Sequence, residues 1–231
     1  MKLSRTTLRV FAVLAVLLAI STHAADAPGD ADSHGAWVLI RDDDGIRTYR
    51  MDRPDSPLLA FKGEGVIDAP IERVLSVCLD AERAGEWIGL VSESAVLRWL
   101  PGSRAYVQLT RFDLPWPVRD RVFVSQVELD VDPRSYVATL TYHESDEAPA
   151  IAGAILGSTE GTQFTLQPVE GGARTLFTGV GIADPKGAIP AWFINWAGRS
   201  IPYRTLQSLR RQAGKDDVTV SPVVESLYEG F

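Results

Sequence analysis

Two hydrophobic periodicities divide this chain. From Trp37 onward, short runs with apolar residues at every second position predict strands. The first pair, residues 37–40 and 46–50, flanks Asp42-Asp43-Asp44-Gly45, whose Asp-Gly step is a hairpin signal. Residues 58–67 form the next strand, with Leu59, Phe61 and Ile67 on one face and Gly63 and Gly65 between them. Two glycines on one face mean that something comes close, and a packed helix is expected there before a ligand. Three more hairpins follow: residues 95–100 and 104–112 about Pro101-Gly102, residues 121–131 and 135–143 about Asp132-Pro133, and residues 162–169 and 173–182 about Glu170-Gly171-Gly172. Phe123, Val127, Leu129 and Val131 share one face, as do Tyr136, Ala138, Leu140 and Tyr142.

The helical period occurs in two places. Asp68-Ala69-Pro70 offers a capping acid and a first-turn proline, and Ile71, Val74, Leu75, Cys78 and Leu79 then fall on one face. A short helical turn is predicted over residues 81–87. The longest helix is predicted over residues 188–213, with Gly214 as C-cap and Arg210, Arg211 and Lys215 near its negative end. Its first half is apolar nearly all round, and Pro202 inside it predicts a kink. Two connections are too long or too apolar for tight turns: residues 113–118, which read Asp-Leu-Pro-Trp-Pro-Val, and residues 144–161.

The ends are set apart from this body. Lys2, Arg5 and Arg9 precede an apolar run of about eleven residues, 10–20, short of the roughly 20 that span a bilayer. Small residues follow, and a secretory signal cleaved after Ala24 is predicted, leading to a periplasmic or secreted location. Residues 25–34 read as a flexible lead-in, residues 35–213 as one domain, and residues 214–231 as a tail that either docks or stays free. No second apolar run reaches spanning length, so the mature chain is expected to be soluble.

Loss of residues 1–24 removes three positive charges and moves the formal net charge from −7 to −10. An acidic body does not fit nucleic acid. The lone Cys78 sits on the apolar helical stripe and is expected to be a buried small hydrophobe. The triple Asp lacks the spaced ligands of a calcium loop and is read as a solvated turn. No metal motif, nucleophile elbow or phosphate loop is present, His143 is expected to face solvent, and neither enzyme activity nor a cofactor is implied.

The order of strands and helices, with four local motifs, resembles the START (StAR-related lipid-transfer) domains of the helix-grip group. The motifs are Trp37 with Asp44-Gly45-Ile46; Asp68-Ala69-Pro70-Ile71-Glu72; Leu114-Pro115-Trp116-Pro117-Val118-Arg119-Asp120-Arg121; and Asp184-Pro185-Lys186-Gly187 with Ile189-Pro190 and Trp192. The resemblance implies an α+β fold, a curved antiparallel sheet of about nine strands wrapped round the long C-terminal helix. It also implies an apolar cavity for a lipid or sterol-like ligand, gated by the residue 114–118 loop and the last helix. Leu114, Trp116, Val118, Ile189, Trp192, Phe193 and Trp196 are the ligand-site residues expected on that basis.

The residues leave several alternatives open. Trp192, Phe193 and Trp196 suit either plain core or cavity lining. Trp116 suits either a rigid core anchor or a membrane-touching wedge, with transient membrane contact in the second case. Arg111 is a polar anchor for ligand if it points inward, and Arg119, Asp120 and Arg121 read as a salt-bridge set that fixes the loop. A monomeric lipid carrier or sensor is the leading expectation. A cyclase-type enzyme and an interaction module with a collapsed cavity are the alternatives.

Overall fold

The computed structural model describes residues 36–51, 59–102, 104–147, 151, 153–159 and 161–229. The expected signal and lead-in, with His34, lie outside these residues.

The nine predicted strands are all present. They are β1 (Trp37–Asp43), β2 (Ile46–Met51), β3 (Leu59–Ile67), β4 (Val91–Trp99), β5 (Ala105–Phe112), β6 (Arg121–Val131), β7 (Ala138–Glu144), β10 (Thr162–Val169) and β11 (Arg174–Asp184). They hydrogen-bond in the order β1-β2-β3-β11-β10-β7-β6-β5-β4, each neighbour antiparallel. Two further strands, β8 (Ile155–Leu156) and β9 (Ser158–Thr159), come from the long connection. β8 pairs with the start of β6 and β9 with the end of β11. The pairing of β7 with β10 stops at Tyr142 and Thr162, so this connection occupies the place between the longer strands β6 and β11. Tyr136 departs from the prediction. It has φ 58° and lies in the turn before β7, because the Asp132 carboxylate gathers the amides of Arg134 and Ser135 and holds the chain in a turn there.

Helix α1 (Ile71–Leu79) buries Ile71, Val74, Leu75, Val77 and Cys78, the face its periodicity predicts. Its N-cap is Pro70, in an extended conformation. Asp68 is therefore too far upstream to cap, and its carboxylate instead meets Arg174 Nε at 2.7 Å. A short 3-10 turn at Ala84–Glu86 follows, and Trp87 after it is buried.

Helix α2 (Ala191–Ala213) starts three residues later than predicted, with Pro190 at its N-cap. It lies against β2, β3 and α1. A Cβ at Gly63 would fall 3.0 Å from Leu206 Cδ1 and 3.3 Å from Pro202 Cβ, so the missing side chain lets the helix approach. At its C-terminal end Arg210 donates to the carbonyls of Val66 (2.9 Å) and Asp44 (2.8 Å). Tyr203 donates to Asp43 at 3.1 Å. The acidic hairpin tip, expected only as a solvated turn, is thus also the seat of α2.

The tail joins the body. Ser221 caps α3 (Pro222–Tyr228), its amide donates to Ser76 Oγ at 2.9 Å, and Val224 and Leu227 enter the main core. That core fills one end of the space between sheet and helices. Ile67, Phe177, Leu166, Leu140 and Val127 from the sheet meet Val74 and Leu75 of α1 and Leu206 and Leu209 of α2, each no more than 2% exposed. Full burial of such side chains stabilises by about 1.5–3 kcal/mol each.

Candidate functional site

At the other end of α2, two connections converge on the helix start. The first is the loop before β6. Val118 N–H donates to Pro115 O at 3.0 Å, closing a turn in which the Trp116–Pro117 peptide is cis. The base of the loop is held by Asp120. Its Oδ2 accepts from Arg111 Nη2 (2.7 Å) and Nε (3.2 Å), and its Oδ1 accepts from the Leu114 amide (3.3 Å). The Arg111 guanidinium, more than any other neighbour, holds the Asp120 carboxyl below its ordinary range. This hold is complete above the ordinary carboxylate range and is lost as pH falls through the lowered value.

Arg111 does not meet the condition set for a ligand anchor. It pairs in register with Val122, and Val107, Val122 and Val124 form a separate cluster with Ile151 and Ala154 on the outer face of β5 and β6. Alternation therefore turns Arg111 outward, and its charge is engaged by Asp120.

The second connection, residues 185–190, is tied down by Arg121. This side chain is 2% exposed. Its Nε donates to Pro185 O at 2.6 Å, its Nη2 to Lys186 O at 3.1 Å, and its Nη1 to Arg119 O. The expected salt-bridge set is thus divided: Asp120 pairs with Arg111, while Arg121 serves backbone carbonyls. Burial lowers the Arg121 pKa from its ordinary value, and the carbonyl ring compensates part of the desolvation. Arg121 is the residue that joins the two connections, and the Arg-Asp-Arg run gave no sign of this division of labour.

Five of the expected residues meet in one apolar cluster. Val118, Phe193 and Ala197 are buried, and Leu114, Ile189 and Trp196 pack against them with Leu90 and Ile201. Phe193 and Trp196 lie 5.6 Å apart between ring centroids. Two of the expected residues face out. Trp116 is 90% exposed, which rules out the core-anchor reading, since two prolines and the Pro115–Val118 turn project it from the loop. Trp192 is 52% exposed, with its ring edge-on to Phe193 at 5.8 Å.

Behind this cluster the inward face of the sheet changes character. Past the core, β5 presents Gln108, Thr110 and Phe112, and β6 presents Ser125 and Phe123, each pair in register. On the neighbouring strands Tyr142, across from Val127 and packed against the main core, pairs with Thr162 of β10, and Gly181 of β11 pairs with Phe61 of β3. A Cβ added at Gly181 would meet nothing within 4 Å. Among the described residues α2 approaches none of β5, β6 and β7 as it does β2 and β3.

Cys78 is buried, and burial pushes its thiol up. His143 is exposed, as expected, with Nε2 3.9 Å from Glu128. Among the described residues no group of three or more His, Cys, Asp or Glu is placed to hold a metal, and no helix is long and apolar enough to cross a membrane.

Comparison with known proteins agrees with this geometry. The family profile described as START domain matches residues 29–215. A protein of Pseudomonas aeruginosa, PA1579, is 27% identical over 179 residues, covering 78% of this chain and 87% of its own. The phosphatidylcholine transfer protein of Bos taurus is 27% identical over 179 residues, covering 76% and 83%. A solved structure of a STAR-related lipid transfer protein from Xanthomonas axonopodis superposes with TM-score 0.67 at 26% identity, covering 78% of this chain and 99% of that one. Human StAR-related lipid transfer protein 5 shares the fold at TM-score 0.70 and 15% identity, covering 80% and 88%.

Proposed function

Since this chain belongs to the START domain family, we propose that it holds a lipid or sterol-like molecule between α2 and the inward face of β5, β6 and β7. It acts as an exported carrier or sensor, periplasmic or secreted. The reading rests above all on the START-domain match over residues 29–215. Beside the proposed space Tyr142 is half-buried and packs edge-on to Phe164, 5.2 Å apart between ring centroids. The open position over Gly181 and the lean of α2 toward β2 and β3 support the same conclusion. The names of the bovine and Xanthomonas relatives point to lipid cargo as well.

A carrier of this kind works by differential solvation. Each methylene brought into water costs about 0.8 kcal/mol, so a lipid leaves a bilayer slowly unless an apolar interior receives it. The cluster of Leu114, Val118, Ile189, Phe193 and Trp196 is the gate. The outward Trp116 and Trp192 are its contact with the bilayer interface, where indole rings partition favourably. Purified mature protein, extracted with organic solvent and analysed by mass spectrometry, is expected to release an apolar molecule, and to take up labelled lipid from vesicles. Failure of both ends the proposal.

Two predictions separate interior from gate. Gly63→Val drives a side chain into Pro202 and Leu206 and is expected to destabilise by about 1–3 kcal/mol. Gly181→Val enters open space and is expected to leave the unfolding free energy within about 0.5 kcal/mol while reducing lipid uptake. Equal destabilisation by both would mean that the space over Gly181 is closed. Trp116→Ala with Trp192→Ala is expected to slow vesicle transfer roughly tenfold or more, from lost apolar contact, with the thermal midpoint unchanged. A wild-type transfer rate in this double variant removes the two indoles from membrane contact.

A further inference from the structure

Three charged residues at the base of the gate are already committed, while Asp113, Arg119 and Arg199 lie exposed at the surface. Arg111 and Asp120 satisfy each other, and Arg121 is enclosed by three carbonyls. The polar groups on the inward rows of β5 and β6 beyond the gate are of another kind. Gln108, 7% exposed, donates through Nε2 to Ser94 Oγ at 2.8 Å and to Thr110 Oγ1 at 3.4 Å. Its Oε1 has no partner among the described residues. Directly across the β5–β6 register is Ser125, 6% exposed, whose hydroxyl shares a 3.0 Å hydrogen bond with Thr159. Two hydroxyls joined by one hydrogen bond retain one O–H to donate elsewhere. Two residues before Gln108 on the same face, the Tyr106 hydroxyl is buried with no partner among the described residues.

An acceptor oxygen and a donor hydroxyl on facing residues, some 5 Å apart at their Cβ atoms, match an alcohol, which donates once and accepts as well. A phosphate, carboxylate or ammonium group in the same place would be a charge without a counter-charge in a poorly solvated interior, which is costly. We infer that the molecule taken into the interior carries an uncharged hydroxyl group, received by Gln108 Oε1 and by the Ser125–Thr159 pair. The ligand class is then a neutral hydroxylated lipid, such as a diacylglycerol or a free sterol. This inference rests on the carrier reading above and narrows it.

The test uses matched probes in neutral vesicles with the full mature chain. One pair is dioleoylglycerol against dioleoylphosphatidylcholine, and the other is cholesterol against cholesterol sulfate. Extraction is measured by labelled lipid recovered with protein. In at least one pair the neutral member is expected to be extracted about tenfold or more over its charged or zwitterionic partner, because a buried hydrogen-bonding site discriminates against a group it cannot pair. Gln108→Met, similar in size, is expected to reduce that preference to within about threefold while leaving Tyr142 enclosed, as read by near-ultraviolet circular dichroism. Equal or better extraction of the charged members by wild-type protein overturns the hydroxyl assignment and leaves the carrier reading standing. A preference that Gln108→Met and Ser125→Ala both leave intact also overturns the assignment. No extraction of any of the four probes overturns the carrier reading and this inference with it.

Discussion

Replacing Arg121 with Met is expected to lower the unfolding free energy by about 3–5 kcal/mol, read as a shift in the urea midpoint at unchanged slope. The substitution keeps side-chain length and apolar bulk but leaves the carbonyls of Arg119, Pro185 and Lys186 without their donor in a buried place. Hydrogen bonds to a charged donor contribute about 1.5–3 kcal/mol each, and water reaching the site recovers part of the loss. Arg121→Lys retains the charge but not the fork, so it is expected to recover less than half. On the carrier reading proposed above, the expected consequence is looser coupling between the residue 113–118 loop and the lead-in to α2, and with it faster loss of bound lipid. A change below about 1 kcal/mol for Arg121→Met would mean that the carbonyls find other partners, and the link between the two gate segments would have to be abandoned.

Ending the chain after Lys215 is expected to cost about 4 kcal/mol, or roughly 10 °C in thermal midpoint for a domain of this size. Val218, Val224 and Leu227 are each at most 8% exposed, and their burial outweighs the entropy of ordering one short helix. The cut also uncovers Ser76 and Val77 on α1, which widens the penalty. Val224→Asp in the full chain should reproduce most of the effect, since it places a carboxylate in a core position with no partner. A truncated protein as stable as the full chain would show that α3 rests on the body without contributing to it.

The two changes act on opposite ends of α2, and the contrast shows where periodicity was informative. Alternation along Phe123, Val127, Leu129 and Val131 located β6 and its inward face, and the three-four spacing of Ile71, Val74, Leu75 and Cys78 located α1 and its buried side. Those patterns persist because one face of each element meets water and the other meets core, which leaves a record in consecutive residues. The site was legible to a lesser degree. Leu114, Val118, Ile189, Phe193 and Trp196 were singled out and do converge. Trp116 lies outside the core, 90% exposed, and composition alone could not decide its environment, because an indole between prolines fits either one.

Arg111, Asp120 and Arg121 show the limit most clearly. The run Arg119-Asp120-Arg121 suggested mutual pairing, and Arg111 stood apart as a candidate ligand anchor. Strand parity instead sends Arg111 to the outer face and Arg121 to the inner one, where its partners are carbonyls some 64 and 65 residues away. Gly63 and Gly181 make the same point, since they are alike as letters. One is the seat of a helix and the other opens on space, and the difference lies in which strand α2 leans toward.

Local pattern was therefore enough for the strands, the helices, the hairpin turns and the apolar character of the cluster at the start of α2, because backbone geometry and solvent exposure act on neighbours in the chain. The division of the charged run, the outward aim of Trp116, the docking of the tail and the neutral polar row at Gln108 and Ser125 came only with tertiary structure. Each depends on residues far apart in sequence being brought into contact, and no periodicity along the chain encodes which distant partner a side chain will meet.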